Sequence, residues 1–171
     1  MKLDFSQNTS REVVFNTVEN YLLAKGLSIA TQDHNRPWGG FFVIDESLAE
    51  NFISEYFPHL KKEDLVIGGK LSPKILVVAP GKRLSWQYHH RRAEIWKLIG
   101  GEAGVITSDD DHEKEEIILQ QGDIVQLAQG QRHRLIGTGK WGIIAEIWQH
   151  TNSEQPSDEE DIVRVQDDFG R

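Results

Sequence analysis

Gly81-Lys82-Arg83-Leu84-Ser85-Trp86-Gln87-Tyr88-His89-His90-Arg91-Arg92-Ala93-Glu94, running on to Gly100-Gly101, is the stretch that decides the reading of this chain. Side chains two apart on a strand share a face, so Gln87 and His89 point the same way while Tyr88 points the other. Glu94 follows after a turn and can face back toward them from the next strand. Downstream, Gly122-Asp123-Ile124-Val125-Gln126-Leu127-Ala128-Gln129-Gly130-Gln131-Arg132-His133 ends in a further histidine. Short β-rich runs punctuated by glycine surround both stretches, at 74–79, 95–99, 104–107, 116–119, 124–128, 133–136 and 142–149. Runs so closely spaced, with no helical period between them, predict an all-β barrel or sandwich.

The remaining sequence divides by character. Residues 1–69 read as an N-terminal helical extension with a first strand and a helical insertion; residues 70–171 read as the barrel. Thr9-Ser10-Arg11-Glu12 and Ser47-Leu48-Ala49-Glu50 both fit the capping-box pattern. The first precedes a helical stripe of Val13, Val14, Val18, Tyr21 and Leu22 that stops at Gly26. The second precedes Phe52, Ile53, Tyr56 and Phe57. Between them, Arg36-Pro37-Trp38-Gly39-Gly40 reads as a turn entering a strand at Phe41.

Composition narrows the class. With 38% hydrophobic residues in 171, the chain can bury a core, which excludes a largely disordered protein. No apolar run approaches the roughly 18 residues of a membrane helix, and the first residues lack a secretory h-region. With no cysteine, disulfides, thiolate nucleophiles and Cys-based metal sites are excluded. The expected setting is cytoplasmic. The 27 acidic and 19 basic residues give a net charge of −8, which argues against nucleic acid as a partner. The acids concentrate in 109–116 and 151–171, whereas 70–97 carries seven Lys and Arg against the single Glu94. Solvated strand edges would account for such a basic stretch; so would a cleft for a small anion.

Both histidine stretches resemble the cupin motifs. The first follows G-x5-H-x-H-x4-E-x6-G with Gln87 at the first histidine; the second follows G-x5-P-x-G-x2-H with Ala128 for proline. Together with Arg36-Pro37-Trp38-Gly39, Asp161-Ile162-Val163-Arg164 and the terminal Asp168-Phe169-Gly170-Arg171, the chain resembles the cupin domain of type II mannose-6-phosphate isomerases. In that family the domain usually follows a guanylyltransferase, for which the 69 preceding residues leave no room. Arg91, Ile95, Ala128 and Gly137 depart from the family pattern without removing a proposed ligand.

The resemblance implies an all-β double-stranded β-helix (a cupin or jelly-roll barrel) with N-terminal helical decoration. It implies one divalent metal ion, with zinc first and Mn, Fe, Co or Ni also suited, held by Gln87, His89, Glu94 and His133. Such a mixed N/O set does not select a thiolate-preferring metal. The implied reaction is mannose-6-phosphate/fructose-6-phosphate isomerisation through a cis-enediol. Arg134 is the candidate for stabilising the developing charge, and Lys74, Arg92 and Lys97 for holding the phosphate. No general base stands out. A homodimer and a small-molecule sugar-phosphate ligand are the expected partners, with no nucleic acid and no membrane. The alternatives are a non-catalytic metal- and sugar-binding cupin, or another metal-dependent cupin enzyme.

Overall fold

The protein was described by a computed structural model, which covers residues 2–65 and 70–171; the boundary expected at 69 lies outside the described residues. Helix α1 (Arg11–Ala24) leads to strands β1 (Ile29–Arg36) and β2 (Gly39–Ile44). A 3-10 turn (Glu46–Leu48), α2 (Ala49–Tyr56) and α3 (Lys62–Leu65) follow. The remaining strands are β3 (Lys74–Val78), β4 (Trp86–Tyr88), β5 (Arg92–Ser108), β6 (Ile117–Leu119), β7 (Ile124–Leu127), β8 (Arg132–His150) and β9 (Val163–Gln166). The expected all-β barrel with N-terminal helical decoration is the architecture found. Among the described residues, no helix is long and apolar enough to cross a membrane.

All strand pairs are antiparallel, in the order β1-β2-β3-β8-β4-β9, with β5 beside β8 and also paired to β6 and β7. Two pairs of runs read as separate strands are in fact continuous: 95–99 joins 104–107 in β5, and 133–136 joins 142–149 in β8. The glycines between them bend the ladder rather than ending it. Register shifts fall at Leu98/Gly100 and Gly101/Ala103. Gly101 has φ +67° and its missing Cβ would collide with the Trp141 carbonyl, so only glycine fits that bulge. Strand β1 has no apolar alternation to announce it. After Ile29 and Ala30 its side chains are polar, and all are half-exposed or exposed, as expected of an edge strand.

Strand parity creates two cores. One face of the sheet sends Ile75, Val77, Ile95, Ile143, Ala145 and Ile147 toward α1 and α2, which answer with Val14, Phe15, Val18, Leu22, Phe52 and Ile53, joined by Phe57 just past α2. The other face sends Leu76, Val78, Trp96, Leu98 and Ile144 into the barrel with Trp38, Val105, Leu127 and Leu135. Buried on both faces, β3 is apolar after Lys74 without alternation. The sheet therefore runs through the division between extension and barrel, since β2 pairs with β3 along its length.

Details of the helices differ from the sequence expectation. The N-cap of α1 is Ser10, whose Oγ accepts from Val13 N, and Val13 itself is exposed. Asp45, rather than Ser47, caps the second helical segment by accepting from Ser47 N at 3.0 Å. The four apolar side chains expected on α2 and at its end are all buried.

Candidate metal centre

Inside the barrel, β5 supplies Glu94 and β8 supplies His133, while His89 stands just beyond β4. Each is 2% exposed. His89 Nε2 lies 3.3 Å from His133 Nε2 and 3.2 Å from Glu94 Oε1, and His133 Nε2 lies 3.4 Å from Glu94 Oε2. Bonds of about 2.0–2.2 Å to one ion place its donor atoms roughly 3.0–3.5 Å apart, so these separations fit a shared cation. The tautomers fit as well. His89 Nδ1–H donates to Asp161 O at 2.7 Å and His133 Nδ1–H to Gln131 O at 3.0 Å, which leaves both Nε2 atoms as inward lone-pair donors. Glu94 Oε2 is buried without a hydrogen-bond partner. An unpaired buried carboxylate oxygen beside two imidazole lone pairs is costly unless a cation joins them.

Glu94 is ionised. Burial opposes its charge, but the adjoining His89 and the Arg92 guanidinium outweigh burial and hold the carboxyl well below the ordinary range. Gln87 is the cross-strand neighbour of His133. Its Oε1 accepts from Ser85 Oγ at 2.5 Å and keeps a second lone pair.

A cavity of about 290 Å³ opens beside this cluster. Gln87, Glu94, Trp96, Glu146, Lys74 and Trp148 line its inner part, while Arg36, Glu159, Arg164 and Arg171 stand among its remaining lining residues. Lys74, 5% exposed, donates to Glu159 Oε1 at 2.6 Å and lies over the Phe41 and Trp148 rings. Arg92 also faces inward, two residues before Glu94 on β5. Its guanidinium is already occupied: Nε donates to Glu94 Oε1 at 2.8 Å, Nη1 to Ser157 Oγ and Asp158 O, Nη2 lies 3.3 Å from His89 Nε2, and the plane stacks 3.7 Å over Trp148. Arg92 thus holds the Glu94 carboxylate in place.

Two expected site residues lie elsewhere, and strand parity is the reason. Lys97 is an odd number of positions from Glu94, so it points to the helix side and donates to Tyr56 O at 2.8 Å. Arg134 follows His133 and takes the opposite face. There it is fully buried, with Nε to Leu84 O, Nη1 to Glu113 Oε1 at 2.6 Å and Nη2 to Gln166 O. Its geometry ties the acidic loop and the C-terminal strand to β8. Arg134→Ala is accordingly expected to cost roughly 2–4 kcal/mol, since it strands buried partners. Metal affinity should stay within about twofold. Scanning calorimetry and a metal titration of the variant check both, and a lost metal with unchanged stability would contradict this placement.

Several side chains around the cluster and the cavity are not foreseen from the sequence. Glu146, 4% exposed, accepts from Trp96 Nε1 at 2.7 Å and Trp148 Nε1 at 2.9 Å. Burial and then the Glu94 charge push its carboxyl up to about 7 against the opposing pull of Lys74 and Arg92. Asp161 accepts from the N–H groups of His90 and Arg91, both at 2.9 Å, and its own carbonyl orients His89. Burial opposes its ionisation, yet the bonds from Ser157 and those two N–H groups keep its pKa below the ordinary value. Arg164 and Asp161 share a segment quoted above for its resemblance, which was the available signal. Glu146 sits in an apolar run and had none.

An antiparallel barrel carrying a buried His/Glu/His cluster next to a cavity defines the class of cupin proteins with a candidate metal site. Residues 48–167 match the family model described as mannose-6-phosphate isomerase C-terminal. This chain belongs to that family. It is 34% identical over 144 residues to the alginate biosynthesis protein AlgA of Pseudomonas aeruginosa, covering 82% of this chain and 24% of AlgA. It is 32% identical over 117 residues to a mannose-1-phosphate guanylyltransferase of Escherichia coli (strain K12), covering 68% of this chain and 23% of that protein. The chain spans about a quarter of the length of these curated relatives. Among solved structures, the capsular polysaccharide assembling protein CapF of Staphylococcus aureus superposes with a TM-score of 0.53 at 13% identity. That match covers 80% of this chain and 34% of CapF, and it speaks for the fold alone.

Proposed function

We propose that this chain is a metal-dependent sugar-phosphate isomerase interconverting mannose 6-phosphate and fructose 6-phosphate. The observation that carries the reading is the inward-facing His89, Glu94 and His133 donor set beside a cavity of about 290 Å³ in a chain of this family. Those three residues, with Gln87 as fourth ligand, would hold one divalent ion, zinc first. When bound, such an ion supplies Lewis-acid polarisation of the sugar's carbonyl and hydroxyl oxygens.

The chain's own residues supply the rest. Asp161 and Gln131 carbonyls fix the two imidazoles, and Arg92 fixes Glu94. Lys74, exchanging Glu159 for the ligand, and Arg164 are the cations assigned to the phosphate; a charge-assisted bond to an anion is strongest where water is excluded, which favours buried Lys74. Arg92 is committed to Glu94, and that commitment is also the observation that favours the second reading, a metal- and sugar-binding cupin without turnover.

The test is a coupled isomerase assay with mannose 6-phosphate on protein stripped by chelator and reloaded with Zn, Mn, Co or Ni, beside His133→Ala. Turnover that requires metal, and that falls below about one hundredth in the variant, is expected. Stoichiometric metal binding without turnover under any metal would select the non-catalytic reading.

A further inference from the structure

We propose that Glu146 is the group that moves the proton between C1 and C2 of the bound sugar, a role that rests on the isomerase reading above. Geometry carries it. Glu146 pairs across β8 and β5 with Trp96, while Trp148 pairs with Glu94, so Glu146 and Glu94 are diagonal neighbours on the inward face. On its other side Glu146 pairs with Lys74 of β3. The carboxylate therefore stands between the metal donors and the buried cation, along the line a sugar phosphate would take if its reacting carbons met the metal and its phosphate met Lys74.

Its partners suit the task. The two indole N–H groups take one lone pair on each oxygen and lock the carboxylate's orientation, yet they leave a second lone pair on each and add no formal charge. The other acids of the cavity are differently placed: Glu94 is held by Arg92 and stands against two imidazoles, Glu159 is a largely exposed partner of Lys74, and Glu160 is exposed. Of the charged groups around the cavity, Glu94 and Arg92 from β5 and Lys74 from β3 act on Glu146.

The step balances. As a carboxylate, Glu146 takes the C2 proton of the aldose; the C–H electron pair becomes the C1=C2 bond while the carbonyl pair moves onto O1. The protonated acid then delivers that proton to C1, and the hydroxyl proton on O2 passes to O1 as C2=O forms. No outside oxidant or co-reactant is needed.

Glu146→Gln in the metal-loaded protein of 171 residues tests the assignment. A general acid–base group typically contributes about 10²–10⁴-fold, so kcat should fall by at least about 100-fold. KM, calorimetric affinity for mannose 6-phosphate and metal stoichiometry should stay within about threefold of the parent. Exchange of the sugar's C2 proton with deuterium oxide, followed by NMR, should cease. A purely structural role would instead weaken ligand or metal binding in step with kcat, and that result overturns the assignment. So does a Glu146→Gln protein as active as the parent. Should that variant not fold, Glu146→Asp, which withdraws the same acid by one methylene, should lose at least about tenfold in kcat at unchanged KM; unchanged kcat overturns the assignment. A parent protein that binds metal but neither isomerises nor exchanges the C2 proton overturns the isomerase reading, and this role with it.

Discussion

Glu94→Gln should release the metal and destabilise the metal-free protein together. The carboxylate is the one anionic donor in the cluster, and replacing an outer-shell partner alone commonly costs 10–100-fold in affinity, so loss of a donor itself should exceed about 100-fold. The second effect comes from Arg92. That guanidinium is 6% exposed, and its counter-charge at 2.8 Å would be gone, leaving Ser157 Oγ, the Asp158 carbonyl, His89 Nε2 and the Trp148 ring. Removing one partner of a buried pair typically costs about 3–5 kcal/mol, which for a domain of this size lowers the thermal midpoint by roughly 10 °C. A zinc titration by calorimetry and a thermal scan in chelator measure the two effects. Affinity within threefold of the parent would remove Glu94 from the ligand set.

The second large effect is a pH dependence. Glu146 titrates at about 7 in the fold and near 4.5 once unfolded. Between those values the native state holds a proton that the unfolded state has released, so stability contributed by this group declines as pH rises through that window. Above about pH 7 the full cost of the buried charge, about 3 kcal/mol, is in place. Glu146→Gln removes it. The difference in unfolding free energy, variant minus parent in chelator, should therefore grow by about 3 kcal/mol from pH 4.5 to pH 7 and then level off. Taking the difference isolates Glu146. His150, whose pKa burial lowers to about 4, acts with the opposite sign but is common to both proteins. The Glu94 contribution is lost only as pH falls through its own depressed value, below this window. Urea titrations at several pH values measure the difference. A difference that does not vary with pH would mean that Glu146 is not held protonated in the fold.

What could be read in the sequence was set by parity and spacing. Gln87 and His89, two apart, share a face, and the ends of both histidine stretches do converge in the barrel. The same rule would have turned Arg134 and Lys97 away, because each is an odd number of places from an inward residue on its own strand. Lys74 could not be phased from its neighbours, since β3 is buried on both faces and its run of Ile75, Leu76, Val77 and Val78 has no alternation. Its orientation follows from pairing with Glu146 in a strand about 70 residues later. Glu146 was hidden for the same reason: within Ile143-Ile144-Ala145-Glu146-Ile147-Trp148 it reads as an interruption in a core strand. Only the fold brings two indole donors to it. The polar edge strand β1 carried no hydrophobic period, and the glycine bulge at Gly101 looked like a strand end because a bend and a break share the same residues.

The proposed metal site joins His89, Glu94 and His133 with Gln87 at the cavity. An anomalous difference map from crystals grown with Mn²⁺ or Zn²⁺ tests it most directly. One strong peak within bonding distance of His89 Nε2, His133 Nε2, a Glu94 oxygen and Gln87 Oε1 is expected. Stoichiometric metal in the crystal with its peak elsewhere, or none at this cluster, would contradict it.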